Sequence, residues 1–189
     1  MEPVAKLPPP APQPTARFVA KVKVLFPRAK RGRIVRSATS QHHSVDRELS
    51  TDCAFCRIVR HEESAEVLYE NAHAIAILDI NPIHYGHTLI IPKTHCETFV
   101  ELPEDTLPDF IRATRIVSEA IVNGLKPSGF NIFSNNGRAA GQSVFHFHFH
   151  ITPRYDDDNI KFVLKLKKYQ DNLMKEYADR IRHCLPQEE

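Results

Sequence analysis

No apolar stretch in the chain approaches the roughly 20 residues that cross a bilayer as a helix, so no membrane partner is expected. Charge of one sign is also lacking. A net charge of +2 over 189 residues gives no global support to a strongly electrostatic nucleic-acid binder. No internal repeat is present, and the chain lacks the crossover helices between successive strands that an all-parallel sheet would need. No acidic pair suited to chelating magnesium stands out, so the sequence does not require that ion in a catalytic site. Acids are missing altogether between Glu2 and Asp46. Cysteine is sparse at four residues, and the close pair Cys53 and Cys56 reads better as metal ligands in a reducing compartment than as a disulfide framework.

What the chain does contain falls into three parts. Residues 1–50 form an extension, rich in proline and alanine up to about residue 16 and therefore short of the apolar side chains that folding needs. Beyond that point it turns basic, with Arg28, Lys30, Arg31, Arg33 and Arg36, and carries Ser37, Thr39 and Ser40. This composition fits an organelle transit peptide, fits a nuclear signal less well, and is also that of a tail with no address. Cytoplasmic and mitochondrial residence are both compatible with it. Residues 51–160 read as the folded unit, and residues 161–189 as an extended stretch plus a closing amphipathic helix packed on it.

Within the folded unit, Cys53 to Val59 is expected to form a knuckle leading into a short helical turn. Strands are expected at Val67–Glu70, Ala74–Asp79, Gly86–Pro92 and Asn131–Ser134, from their apolar content and from the turn residues between them. After Pro103, apolar residues from Leu107 to Ile121 keep a 3.6-residue period that predicts a helix with one buried face, and Gly124 is its expected stop. The order β-β-β-α-β-β with short turns predicts an α+β domain, an antiparallel sheet with its helices on one side.

The chemistry is concentrated in Gly141 to Ile151, where His146, His148 and His150 alternate with Phe145, Phe147 and Phe149. Alternation at period two predicts a strand with the three imidazoles on one face and the phenyl rings on the other. Imidazole serves as nucleophile, acid, base or metal ligand near neutral pH, so such a row on a stiff strand reads as a site. The loop before it, Asn135 to Gly141, is rich in residues that tolerate positive φ. With the side chains of Gln142 and Ser143, its backbone N–H groups suit phosphate oxygens. Cys53-x-x-Cys56 has zinc spacing, and His95 and His146 are candidates for the other two corners of a structural Cys2His2 tetrahedron; a pair of buried or redox thiols is the alternative.

His146-Phe147-His148-Phe149-His150-Ile151-Thr152 resembles the His-x-His-x-His signature of the histidine triad (HIT) superfamily of nucleotide hydrolases and transferases. Further similarity lies in Cys53-x-Phe55-Cys56, Leu78-Asp79-Ile80, Gly86 to His95, Asn135-Asn136-Gly137 and Gly141-Gln142-Ser143, so the likeness spans about Asp52 to Tyr155. The nearest branch is the nucleotide-binding one with a zinc-type cysteine pair. Two features depart from the pattern: Thr152, where the motif usually ends in an apolar residue, and the N-terminal extension.

The resemblance implies a five-stranded antiparallel sheet with one long and one short helix, paired as a homodimer through a continuous sheet. It implies that His148 attacks the α-phosphorus to form a covalent nucleotidyl-histidine, that His150 contacts the phosphate and assists the leaving group, and that His87 and His146 orient the nucleophile. Asp79 would bind the ribose hydroxyls. Phe55 and Ile80 would line the base pocket for adenosine or guanosine derivatives. Asn135, Gln142 and Ser143 would lie near the phosphates, and Cys53, Cys56, His95 and His146 would ligate zinc. No organic cofactor is implied. Cleavage of nucleoside phosphoramidates, dinucleoside polyphosphates or related nucleotides is the expected activity. Hydrolysis is favoured over transfer to a sugar phosphate because Phe149 follows the central histidine where the transferase motif continues differently. The alternatives are a nucleotide-binding regulatory module with incidental slow hydrolysis and, more remotely, a zinc-dependent nucleic-acid end-processing module.

Overall fold

The computed structural model describes residues 52–186, so every expectation about the 1–50 extension lies outside the described residues. Helix α1 (Ala54–Val59) follows the first cysteine, and strands β1 (Val67–Glu70), β2 (Ala74–Leu78) and β3 (Thr88–Pro92) form an antiparallel meander. Helix α2 (Leu107–Leu125) then leads to β4 (Gly129–Phe133) and β5 (Phe149–Arg154), and helix α3 (Leu173–His183) closes the described chain. The sheet order is β1-β2-β3-β5-β4 with every pairing antiparallel, the five-stranded α+β architecture that the resemblance implied.

Both faces of the central strands are covered. On one face Ala74, Ala76, Ile90, Phe147 and Ile151 pack against Phe110, Ala113, Val117 and Ile121 of α2. On the other, Ile75, Ile77, Leu89 and Ile91 meet Phe55 and Ile58 of α1. The expectation of helices on one side is therefore corrected. Successive residues of β2 point to opposite faces, and all of Ala74–Ile77 are buried, which demands a cover on each side.

Two boundaries also differ from expectation. Helix α2 continues through Gly124 and ends where Lys126 adopts the left-handed conformation at φ 51°, because Pro127 disfavours a further helical residue before it. The expected strand from Gly141 is corrected: the stretch bends at Val144–His146 and joins the ladder only at Phe149. Pro92, which would continue the pairing from β3, has no N–H to give. Its carbonyl accepts the ring N–H of His146 instead, at 2.9 Å, while Phe147 N–H donates to Cys96 O at 2.7 Å. The face alternation survives without the ladder: Phe147 and Phe149 pack on Phe110 of α2, and His146 and His148 meet Phe55 of α1.

Past β5, Arg154 pins the turn that follows. Its guanidinium donates to both carboxylate oxygens of Asp158 at 2.6 and 3.1 Å, to Asn131 Oδ1 at 2.7 Å and to Ile160 O at 2.8 Å. The same ion pair holds the Asp158 carboxyl well below the usual carboxylate range. Residues 161–170 form no strand, and Leu173, Tyr177 and Ile181 of α3 remain exposed.

Thr152 is 2 % exposed, and its Oγ1 is the single buried side-chain nitrogen or oxygen without a partner among the described residues. A buried, unsatisfied hydroxyl costs about 1–3 kcal/mol, and valine has the same branched shape. Thr152→Val is therefore expected to stabilise the fold by about 1 kcal/mol in urea unfolding; a loss of stability would mean that the hydroxyl has a partner.

Candidate active site and metal centre

The site lies on the α1 face of the sheet, where β3 and β5 meet the segment before β5. Each of the three histidines is fixed in one tautomer by what it touches. His148 Nδ1 lies 2.8 Å from the carbonyl of His146. A carbonyl only accepts, so Nδ1 carries the proton and Nε2 keeps a free lone pair. His146 is set the other way round, since its Nε2–H donates to Pro92 O and its Nδ1 is bare. In His87 the Nδ1 accepts the Ile83 N–H at 3.2 Å, so Nε2–H donates to His150 Nδ1 at 2.9 Å, and His150 bears its own proton on Nε2. Asp79 Oδ2 stands 3.3 Å from His87 Nδ1, ready to take over that nitrogen if His87 gains a second proton. Its Oδ1 accepts the Asn81 N–H at 2.8 Å.

The bare Nδ1 of His146 faces the second constellation. It lies 3.5 Å from Cys53 Sγ, 3.5 Å from Cys56 Sγ and 3.3 Å from His95 Nδ1, and Cys56 Sγ is 3.2 Å from His95 Nδ1. A tetrahedron with zinc–nitrogen bonds near 2.0–2.1 Å and zinc–sulfur bonds near 2.3 Å has edges of about 3.4 Å between nitrogens and about 3.5 Å from nitrogen to sulfur. The four atoms therefore have the spacing and donor chemistry to hold a zinc-sized ion. With four protein ligands, such a centre has no open position and is structural in kind.

The remaining expected residues divide. Ile80 is 89 % exposed and open to a ligand, whereas Phe55 is buried in T-shaped contact with His146 and His148 and braces their rings. The loop closes as a short 3-10 turn, Arg138–Ala140, bracketed by Gly137 and Gly141 at φ 84° and 89°, which a side chain would disfavour. Ser143 is exposed and Asn135 half-buried. Gln142 is buried, and both of its amide hydrogens are committed, to Glu97 O at 2.6 Å and Val144 O at 3.1 Å. Its Oε1 accepts the Gly137 N–H at 2.7 Å. In this geometry Gln142 staples the loop and has no amide proton left for a phosphate. Asn136, which sequence reasoning did not single out, ties the same loop to the segment before α2 by accepting the Phe99 N–H at 2.7 Å.

Burial keeps the cluster neutral. It is the largest influence lowering His148 and His87, and it pushes His150 down to about 4, with His148 and His87 adding to the effect. The linkage sign follows. Unfolded histidine takes a proton near pH 6.5 while folded His150 does not, so the unfolded state binds more protons between pH 6.5 and about 4. Stability is expected to fall as pH drops through that window and to stop falling on this account below it. Urea midpoints across pH 7 to 4 check this, and His150→Asn should flatten the slope.

Comparison with known proteins agrees with this fold. A family model described as HIT domain matches residues 60–157. Adenylylsulfatase HINT3 of Arabidopsis thaliana is 36% identical over 177 residues, covering 94% of this chain and 85% of that protein. Adenosine 5'-monophosphoramidase hnt1 of Schizosaccharomyces pombe is 39% identical over 106 residues, 56% of this chain and 77% of that protein. Among solved structures, a HIT family member from Bacillus subtilis superposes with a TM-score of 0.69 at 35% identity, covering 72% of this chain and 99% of that one. A zinc-bound histidine triad family protein from Mycobacterium smegmatis gives 0.54 at 33% identity, covering 71% and 98%.

Proposed function

The chain belongs to the HIT family, and from that premise we propose that it is a hydrolase cleaving nucleotides at the α-phosphate, with nucleoside phosphoramidates and adenylyl sulfate as its leading substrates and dinucleoside polyphosphates as a further class. The observation that carries this reading is the His148–His146 hydrogen bond, which leaves a neutral imidazole with one free lone pair among groups able to handle a leaving group. The names of the two curated relatives, one a sulfatase of adenylyl sulfate and one a phosphoramidase, supply the two leaving-group types.

In the first step His148 Nε2 attacks the α-phosphorus, forming a phosphorus–nitrogen bond as the bond to the leaving group breaks. A sulfate departs as the dianion and needs no proton. An amine needs one, which His150 Nε2 gives up from its doubly protonated form; burial makes that form a minority at neutral pH, and Asp79, which favours it, would share its charge through His87. Water then attacks the nucleotidyl-His148; after an amine has left, the water's proton passes to the Nε2 that His150 has just vacated, after sulfate it passes to solvent, and the nucleoside monophosphate leaves with His148 restored. Splitting one displacement into two in this way lowers each barrier, and the remaining demand is positioning and charge stabilisation.

Asp79 and Ile80 would meet the nucleoside, and Asn135 and Ser143 the phosphate side. The cluster of Cys53, Cys56, His95 and His146 would hold zinc, which supplies a structural anchor with no part in bond breaking. The exposed edge strand β4, with Phe130 and Ile132 outward, is the surface through which two copies would pair into a dimer.

A panel of adenosine 5'-phosphoramidate, adenylyl sulfate, diadenosine polyphosphates and their guanosine counterparts tests the reading. Release of nucleoside monophosphate is expected from the first two. Tight binding of all with release from none would turn the protein into a binding module.

A further inference from the structure

The hydrogen bond from His87 fixes one atom of His150, and the His87 ring meets the imidazole at a 28° tilt. A single Nε2–H···Nδ1 hydrogen bond at 2.9 Å leaves the imidazole free to tilt about that contact, and a tilted ring aims its own Nε2 proton elsewhere. The face of the ring is settled by another residue. Phe133, the last residue of β4, pairs directly opposite His150 in the antiparallel ladder, where same-face side chains stand about 4.5–5.5 Å apart at Cβ. Its phenyl ring stacks on the imidazole at 4.6 Å between centroids and 10° between planes. His87 covers the imidazole at 5.1 Å and 28°.

We propose that Phe133 is the positioning residue for His150, holding its ring plane so that Nε2 meets the departing atom, and that Phe162 supports it from beyond the end of the family-model match. Phe162 lies edge-on to Phe133 at 6.5 Å and 75°. The Arg154 guanidinium also lies over Phe162, 5.6 Å from the ring centre, itself held by Asp158, Asn131 and the Ile160 carbonyl. The chain after residue 157 thus reaches the acid of the site through two phenyl rings. A phenyl face offers no competing hydrogen bond, and its negative π surface attracts the ring most when it is cationic, the form that releases a proton.

The inference rests on the proposed hydrolysis, and leaving groups separate the two. General acid assistance is worth about 10²–10⁴-fold. Misaligning the acid in Phe133→Leu should therefore cost roughly 10–100-fold in kcat on an adenosine phosphoramidate, with KM little changed. On adenylyl sulfate, whose leaving group needs no proton, the loss should stay within about threefold. Phe133→Tyr keeps the stack and should restore the amine rate, while Phe162→Ala should lose less than Phe133→Leu in the same direction. Equal losses on both substrates, or no rescue by tyrosine, would reduce Phe133 to a packing residue.

A second readout does not depend on turnover. In proton NMR the His150 ring protons should be shifted upfield by the phenyl ring current in the wild type and in Phe133→Tyr, and relaxed in Phe133→Leu. Should the wild type cleave nothing, the hydrolase reading fails, and this spectrum alone decides whether the stack holds His150. Unshifted His150 protons in the wild type would overturn the positioning role in either case.

Discussion

His148→Ala is expected to lower kcat on a nucleoside phosphoramidate by at least about 10⁴-fold, while nucleotide affinity stays within a few-fold. The size of the effect follows from the absence of a substitute. His146 Nε2 is occupied by Pro92 O and its Nδ1 looks into the cysteine cluster, and His150 carries its proton on Nε2 while its Nδ1 takes the proton of His87. No other imidazole in the row presents a free lone pair to a phosphorus atom. Affinity should be spared because Asp79 and Ile80 lie on another segment, and Ser143, five residues before His148, lies outside the truncated side chain. Rapid quench with substrate labelled in the nucleotide, followed by digestion, should place the label on the peptide containing His148 in the wild type and on none in the variant. Near-wild-type turnover by His148→Ala, or label on another histidine, would remove the nucleophile from this position.

Much of this geometry is legible in the chain, and the part that is not has identifiable causes. Apolar runs bounded by turn residues place β2 and β3, which are buried on both faces, and a 3.6-residue period places α2 with its one buried face; the mostly exposed β1 follows from its turn into β2. The row of histidines and the Cys53-x-x-Cys56 spacing mark the two clusters because such polar patterns have few structural explanations. Ladder extent is another matter: whether His146 belongs to a strand depends on Pro92, more than fifty residues earlier, having no N–H to donate. The role of Gln142 was equally hidden. A glutamine beside a glycine loop reads as a phosphate ligand until Glu97 O, Val144 O and the Gly137 N–H are seen to use its amide. The Phe133–His150 stack has the same character. It is a cross-strand pair, and cross-strand register cannot be read from either strand alone.

Removing the Cys53 and Cys56 thiols is expected to damage stability and catalysis together, through a single residue. His146 turns its ring toward Cys53, Cys56 and His95 and its backbone carbonyl toward His148 Nδ1. An ion held by the four side chains would fix the ring, hence the backbone, hence the tautomer of the nucleophile. It would also tie α1, which caps one face of the sheet, to the segment before β5 across about 90 residues of chain. In a Cys53→Ser/Cys56→Ser variant the His146 ring has no such anchor and its carbonyl is free to shift. Because binding a metal to the folded form is linked free energy of folding, the melting temperature should fall by more than about 10 °C. Surviving folded protein should show a lower kcat with KM less affected, since nucleotide contacts do not pass through His146. Metal analysis supplies the separate readout: about one zinc per chain is expected in the purified wild type and almost none in the double variant. Equal zinc in both proteins would dismiss the tetrad, and zinc loss without any change in kcat would break the proposed link from metal to nucleophile while leaving the metal site standing.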